Sequence, residues 1–415
     1  MEPIRITAAT VREAVRGLRQ SAHDRERVRG SVADIVQMVR DGGDAAVRRL
    51  TARYDGVEVE RARMTRRTLR KAMDDTPRPV LEALETLAEN LRTTSVEMMP
   101  RPTRQVLPQG QIVSTRPMPV DRVGVYAPGG RAAYPSSAVM AIVPAQVAGV
   151  EEIAVCSPPS ANGRPACAVL AVCGMLGIEE VYAIGGAQAV AAMAIGTETI
   201  RPVDVLVGPG NTYVEEAKRG LFGEVGIESL AGPSELIVVA DQSAPPDVVA
   251  WDLMAQAEHG SGASSVLVST DEAVLAAVAD ELESEEGITM MLADSSRTMF
   301  TLVNAYAPEH LQLMVADPEA ALEQVRHAGA IFLGPMSGTA FGDYIAGSNH
   351  ILPTGGAARF TSGLSPAHFR RRFSEVRIGA GARELARLAA PLARAEGFEQ
   401  HARSMEGRIR DNGQG

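Results

Sequence analysis

RVGVYAPGGRAAYPSSAVMAIVPAQVAGVEEIAVCS, residues 122–157, sets a β-branched run, a Pro-Gly-Gly turn, an Ala-rich apolar segment and a second β-branched run end to end. Strand, turn, helix and strand in that order make a βαβ unit, whose two strands must lie parallel. The rhythm continues. Val123–Tyr126, Ile153–Cys156, Val181–Ile184 and Val203–Val207 recur every 20 to 30 residues or so, which reads as one doubly wound α/β domain. Its strands empty into three glycine loops, at 126–130, 185–188 and 208–211. Ligands of open α/β sheets lie at the carboxyl ends of the strands, so these loops form the expected nucleotide site. No GxGxxG follows any strand and no acidic residue stands at the usual ribose distance, so mere tight turns remain the competing reading.

Working outward, the alternation resumes after Ala231-Gly-Pro-Ser234. Leu236–Ala240, Val266–Ser269, Leu311–Val315 and Ile331–Gly334 read as strands, with helices near 246–258, 271–283 and 317–328. The last helix is punctuated by an Asp317 cap, Pro318 in the first turn and Gly329 as the stop. Upstream, Ser31 is placed to cap a helix with Val32, Ile35, Val36 and Val39 on one stripe, and Leu81, Leu84, Leu87 and Leu91 mark another. These helices have no sheet of their own, so they are expected to cover the second one. The resulting fold class is α/β, with two Rossmann-like, doubly wound, mostly parallel domains, a helical N-terminal arm and a helical C-terminal tail. The expected boundaries are 1–25 for the arm, 26–121 with 235–374 for the first domain, 122–234 for an inserted domain and 375–415 for the tail. Pro391 should kink or break the tail.

Composition bounds the function. The chain has 415 residues, enough for two or three structural units, and a formal charge of −10, which draws it to neither nucleic acid nor an anionic membrane. Cys156, Cys167 and Cys173 form neither a CxxC pair nor a disulfide framework, and two of them, among Ala, Val and Leu of one expected buried helix, read as packing residues. The first residues lack the apolar core of a signal peptide, and no apolar run reaches the roughly 20 residues that span a bilayer. A cytoplasmic protein is therefore expected.

Chemistry gathers in few places. In WDLMAQAEHGS, residues 251–261, Gln256 and His259 are three apart, which on a helix puts an amide oxygen and an imidazole on one face. Alone, that pair reads as surface decoration, because Gln is an unusual metal ligand. Glu309-His310 offers two proton-transfer groups at a loop-to-strand junction, or else an exposed polar pair. Asp343 and His350 share the Gly/Ser/Asn-rich stretch FGDYIAGSNHILPTGG, residues 341–356, whose bland reading is ordinary turn chemistry. Gln256, His259, Asp343 and His401 could together offer N and O ligands, without thiolate, to Zn²⁺ or Mn²⁺. His23, His327 and His368 belong to no cluster and are expected to face solvent.

Taken together, GVYAPGG (124–130), YPSS (134–137), GGAQAVAA (185–192), GPGN (208–211), AGPSE (231–235), QAEHG (256–260), PEHL (308–311), GDYIAGSNHILPTGG (342–356) and AEGFEQH (395–401) resemble the histidinol dehydrogenase family, in order and over nearly the whole chain. The resemblance implies an NAD-dependent homodimer with one Zn²⁺ per subunit that oxidises L-histidinol through L-histidinal to L-histidine, the last step of histidine biosynthesis. It implies Gln256, His259, Asp343 and His401 as zinc ligands, with His401 on a tail that completes the partner subunit's site. Glu309 and His310 become the acid/base pair. Tyr126, Gln188 and Asn211 become NAD contacts, and Ser234, His310 and Glu396 join the metal ligands as substrate contacts. His350 is expected to line the site. The segment His368-Phe369-Arg370-Arg371-Arg372 departs from the family pattern, and no role is carried onto it. Two rival readings are a same-fold dehydrogenase of another small polyol or amino alcohol, and a noncatalytic metal-binding dimer.

Overall fold

A computed structural model describes residues 2–19, 24–129, 133–260, 262–284 and 286–409. His23 and Gly130 lie outside the described residues. The chain divides into two compact units, Met1–Met98 with Val120–Phe369, and Met99–Pro119 with Arg370–Gly415.

The first unit holds two parallel sheets. In the five-stranded one the order is Glu180–Ala183, Glu152–Ser157, Arg122–Tyr126, Val205–Val207, Gly226–Ile227. The chain enters at the middle strand, winds outward on one side and then returns to wind on the other. That reversal opens a crevice beyond Tyr126 and Val207, where the loops on either side diverge. The six-stranded sheet repeats the scheme: Ile4–Ile6, Ile288–Ala293, Ser264–Ser269, Glu235–Ala240, His310–Met314, Ala330–Leu333, again all parallel. Alternate residues of its strands feed opposite cores, Ile237 and Val239 on one face, Leu236 and Val238 on the other. Both sheets are thus covered on both sides, as parallel sheets require.

Several expectations change here. The helices between residues 24 and 98 do not cover the six-stranded sheet, whereas the earlier Val11–Leu18 packs into one of its cores. Asp24–Tyr54 packs on Gly186–Ile195 and Thr212–Leu221, Arg66–Asp75 on Cys167–Met175, and Arg78–Glu97 on Pro135–Val147. The reason lies in the inner helices: every residue from Ala187 to Ala194, and from Ser136 to Ala145, is buried. A helix apolar over most of its circumference has no polar face to give to water and needs a second cover. Ser31 caps nothing, because it lies inside Asp24–Tyr54. That helix breaks instead at Gly43 (φ 47°), where Glu198 accepts the Asp44 N–H at 2.7 Å. The expected N-terminal arm carries a strand, Ile4–Ile6, which covers the sheet edge at Ile288–Ala293, itself a strand that the Met-rich sequence ITMMLA does not announce. Asp317 and Pro318 open their helix as expected, but it ends at Leu322, well before Gly329.

The second unit is an antiparallel sheet ordered Arg370–Arg377, Ile112–Pro119, Thr103–Val106, with helices Ala382–Ala395 and Glu399–Glu406 packed on each other. The tail is therefore not helical from residue 375. Part of the departing segment is a strand, pinned to its neighbour by Arg116–Glu375 at 2.7 Å. Pro391 sits inside a continuous helix. The carbonyl it leaves without an N–H belongs to Arg387, an exposed residue that water can serve. Among the described residues no helix is long and apolar enough to cross a membrane.

Candidate active site

A cavity of about 570 Å³ in the first unit is lined by residues from both sheets, among them Tyr126, Asn211, Ser234, His259, Glu309, His310, Asp343 and His350. The five-stranded sheet contributes the carboxyl ends of its strands. The six-stranded sheet contributes the opposite ends: Ser234 immediately precedes Glu235–Ala240, and Glu309 immediately precedes His310–Met314. Those two strands are neighbours, with His310 beside Leu236. Pairing alone therefore brings residues 234 and 309 together.

Side chains complete the arrangement. Ser234 donates its hydroxyl to Glu309 Oε2 at 2.8 Å and accepts from Gln256 Nε2 at 3.0 Å, while the Glu235 N–H donates to the same Oε2 at 2.9 Å. One oxygen of Glu309 is thus fully held, which leaves Oε1 for chemistry. Three imidazoles share one device. Nδ1 of His310, His259 and His350 lies 3.2, 3.1 and 3.0 Å from the backbone carbonyls of Glu235, Gln256 and Asp343. A carbonyl only accepts, so each Nδ1 carries the proton or donates it, and each Nε2 is the atom left for work. His350 spends its Nε2 on Ser137 Oγ at 3.0 Å. His310 turns Nε2 towards Asp343 Oδ1 at 3.7 Å.

Electrostatics follows from burial and these neighbours. Burial opposes a charge on His310, yet the Glu309 carboxylate and then Asp343 lift its pKa to about 10. Burial would raise Asp343, but His310, His350 and His259 hold its carboxyl below the ordinary range. Among the described residues no three of His, Cys, Asp and Glu form a metal-holding group by themselves. His259 and Asp343 line the cavity with a ring nitrogen and a carboxylate, while Gln256 is buried and does not line it, reaching its wall through Ser234. His259 lies beyond its helix, which ends at Ala257, and not on it as the spacing suggested; its N–H still reaches Gln256 O at 3.3 Å. Glu396 and His401 are exposed residues of the second unit, His401 with its ring 5.1 Å from that of Phe398.

On the opposite wall the Tyr126 hydroxyl accepts the Gly186 N–H at 3.1 Å, and Asn211 caps Thr212–Leu221 by accepting from Tyr213 and Val214. Gln188 is only 1 % exposed and does not line the cavity; it donates to Asp55 Oδ2 at 3.2 Å. Asp55 follows the first long helix and has no local sequence signal. Gly208 (φ +117°) is needed for packing: a Cβ there would fall 2.1 Å from the Tyr126 carbonyl oxygen.

Sequence reading also missed a buried ion cluster behind this wall. Lys218 is fully buried, with Nζ 3.0 Å from Glu228 Oε1, 3.4 Å from Glu215 Oε1 and 3.2 Å from the Gly208 carbonyl. Glu228 Oε1 also accepts the Gly208 N–H, and Glu215 Oε2 the Ala231 N–H. The cluster thereby ties the 208–211 loop to the 231–234 loop. Lys218→Met should leave two carboxylates buried without their cation and cost about 3–5 kcal/mol of folding stability in urea titration. Burial pushes Glu215 and Glu235 up to about 7 and Asp55 to about 6. Folded-state pKa values above the unfolded ones mean stability that is complete below about pH 4.3 and is lost as pH rises towards 7. The urea midpoint should fall across that window, and Glu215→Gln should flatten the fall; an unchanged slope in the variant would disprove the assignment.

The family model for histidinol dehydrogenase matches residues 18–409. The chain belongs to the histidinol dehydrogenase family. It is 45% identical over 406 residues to the histidinol dehydrogenase of Methanothermobacter thermautotrophicus, covering 94% of this chain and 95% of that one. It is 42% identical over 400 residues to that of Geobacillus kaustophilus, covering 92% and 94%. Among solved structures, a crystal structure of histidinol dehydrogenase from Elizabethkingia anophelis superposes with a TM-score of 0.92 at 29% identity, covering 98% of each chain. The fold expected from the resemblance is therefore the histidinol dehydrogenase fold, and the chain is an oxidoreductase of that family.

Proposed function

We propose that the protein oxidises L-histidinol through L-histidinal to L-histidine, reducing two NAD⁺, in a site that holds one Zn²⁺ per subunit and is completed in a homodimer by the partner's C-terminal tail. The observation that carries the reading is the convergence of Glu309, His310, Ser234, His259 and Asp343 on one cavity whose other wall holds Tyr126 and Asn211.

The residues fit a zinc ion by their donor chemistry. His259 presents Nε2 with Nδ1 fixed on a carbonyl, the usual support of a metal-bound imidazole, and Asp343 adds a carboxylate. Gln256 gives its Nε2 to Ser234, which leaves Oε1 as its ligand atom. His401 is the fourth candidate. When bound, Zn²⁺ would hold the substrate's imidazole and amino nitrogens and take up carboxylate charge that otherwise keeps His310 protonated. NAD⁺ would lie along the 126–129 and 208–211 loops, with Tyr126 and Asn211 as contacts and Gln188 acting from behind through Gly186 and Asp55.

His310 exchanges the proton at Nε2, because Nδ1 is committed to Glu235. In the first oxidation that atom takes the hydroxyl proton as hydride leaves the carbinol carbon. The aldehyde then needs water. Glu309, with Oε2 held by Ser234 and Glu235, has Oε1 to remove a proton from a water that adds to the carbonyl carbon, and the hydrate delivers the second hydride. Ser234 and Glu396 serve as substrate contacts. Three protons and two hydrides leave per histidinol, and one water enters.

Zinc-loaded protein should yield about two NADH per L-histidinol, with histidine as the product. Absence of turnover by protein that demonstrably binds zinc and NAD⁺ would instead point to another small amino alcohol or polyol as substrate.

A further inference from the structure

Gln312 lies near this site, and the chemistry above gives it no work. It is fully buried, two residues after His310 on the same strand, and hence on the same face. Its Nε2 donates to Asp252 Oδ2 at 2.7 Å and to the Ser337 carbonyl at 3.3 Å, while its Oε1 is buried with no protein partner. Asp252 lies one helical turn before Gln256 on Pro246–Ala257, so it shares that residue's face. Its other oxygen packs against Gly338, where a Cβ would stand 3.2 Å from Oδ1. Gly338 is the N-cap of Thr339–Tyr344, the helix that carries Asp343.

We propose that Gln312 and Asp252 form a positioning pair that fixes three elements in mutual register: the strand of His310, the helix of Gln256 and the helix of Asp343. The inference rests on the functional reading above, since it assigns the pair to holding those residues for zinc and proton transfer. Each group sits one structural repeat from a site residue on its own element. A shift between the helix and the strand therefore cannot occur without breaking the Asp252–Gln312 contact, whereas neither side chain lines the cavity. Burying a carboxamide and half-burying a carboxylate beside it is costly, and a plain apolar pair would pack the helix on the sheet at less cost. What the polar pair adds is direction, because a hydrogen bond fixes register and an apolar contact does not.

The test uses zinc-loaded full-length protein and Gln312→Met, which conserves volume and removes both donors. The expected result is about a tenfold loss of kcat with histidinol, KM for NAD⁺ within about twofold, and zinc released to a colorimetric chelator about tenfold faster. Asp252→Asn keeps an acceptor for Gln312 and should restore both readouts to near the parent's, while Asp252→Leu should match Gln312→Met. Gln312→Met combined with Asp252→Leu should be no worse than either alone, since both remove one contact. Parent-like kcat and zinc release in Gln312→Met would overturn the proposal, as would additive losses in the double variant. A fall in activity matched by global unfolding in urea, with Asp252→Asn equally impaired, would assign the pair to the fold alone and also overturn it. Failure of the functional reading is separate: the parent protein itself would then form no NADH from histidinol.

Discussion

Glu309→Gln is expected to lower the rate of histidine formation about a thousandfold while leaving the first hydride transfer far less affected. The amide keeps an oxygen for the Ser234 hydroxyl and the Glu235 N–H, so the loop before the strand stays in place. What would disappear is the basic Oε1 proposed to activate the water that hydrates the aldehyde. The NADH yield per histidinol should therefore fall from about two towards one over short incubations, with histidinal trapped by a carbonyl reagent. Two further consequences make the prediction specific. Removing the nearer of two carboxylates beside His310, 3.5 Å from its Nδ1, takes away the largest influence raising its pKa, so the acid limb of the activity profile should move to lower pH. An unchanged NADH yield together with an unchanged profile would refute the role given to Glu309.

The second large effect is expected for His259→Asn. The shorter side chain cannot deliver a ring nitrogen to the cavity, and zinc retention against a chelator should weaken about a hundredfold or more. KM for histidinol should rise in step, because the same ion is expected to hold the substrate's nitrogens. NAD⁺ affinity should hardly change, since Tyr126 and Asn211 stand on the opposite wall. Metal removal from the parent protein should reproduce this pattern, and readdition should reverse it. Unchanged zinc content and unchanged KM in His259→Asn would remove His259 from the ligand set.

Both predictions concern residues that short motifs single out and to which the family resemblance gives a role. Glu309-His310 and Gln256-Ala-Glu-His259 are short motifs of polar groups in apolar surroundings, and such groups stand out because burying them without purpose is costly. The βαβ rhythm of 122–157 is as legible, because strand and helix periodicities are local properties of the backbone. Both parallel sheets follow from it, since two parallel strands need a crossover between them.

Other features had no local signal. Nothing near Asp55 or Lys218 distinguishes a surface charge from a buried one. Asp55 meets Gln188 across 133 positions, and Lys218 is buried only because Glu215 and Glu228 converge on it with Gly208. The long helices before residue 98 show apolar stripes, but a stripe states that a face must be covered and not by what. The helices buried all round on the five-stranded sheet decided that, and they drew the cover away from the six-stranded sheet.

The sequence by itself therefore determined most helices and strands of the two parallel sheets and the residue types of the candidate site, because these depend on spacing over one or two turns of backbone; the edge strands Ile4–Ile6 and Ile288–Ala293 and the antiparallel sheet were not legible in it. Tertiary structure alone decided that the site joins the carboxyl ends of one sheet to the amino ends of another, that three imidazoles point Nε2 outward from backbone carbonyls, and that Gln312 and Asp252 tie their elements together. Each of these depends on which distant groups share a low-dielectric interior, and chain spacing carries no record of that.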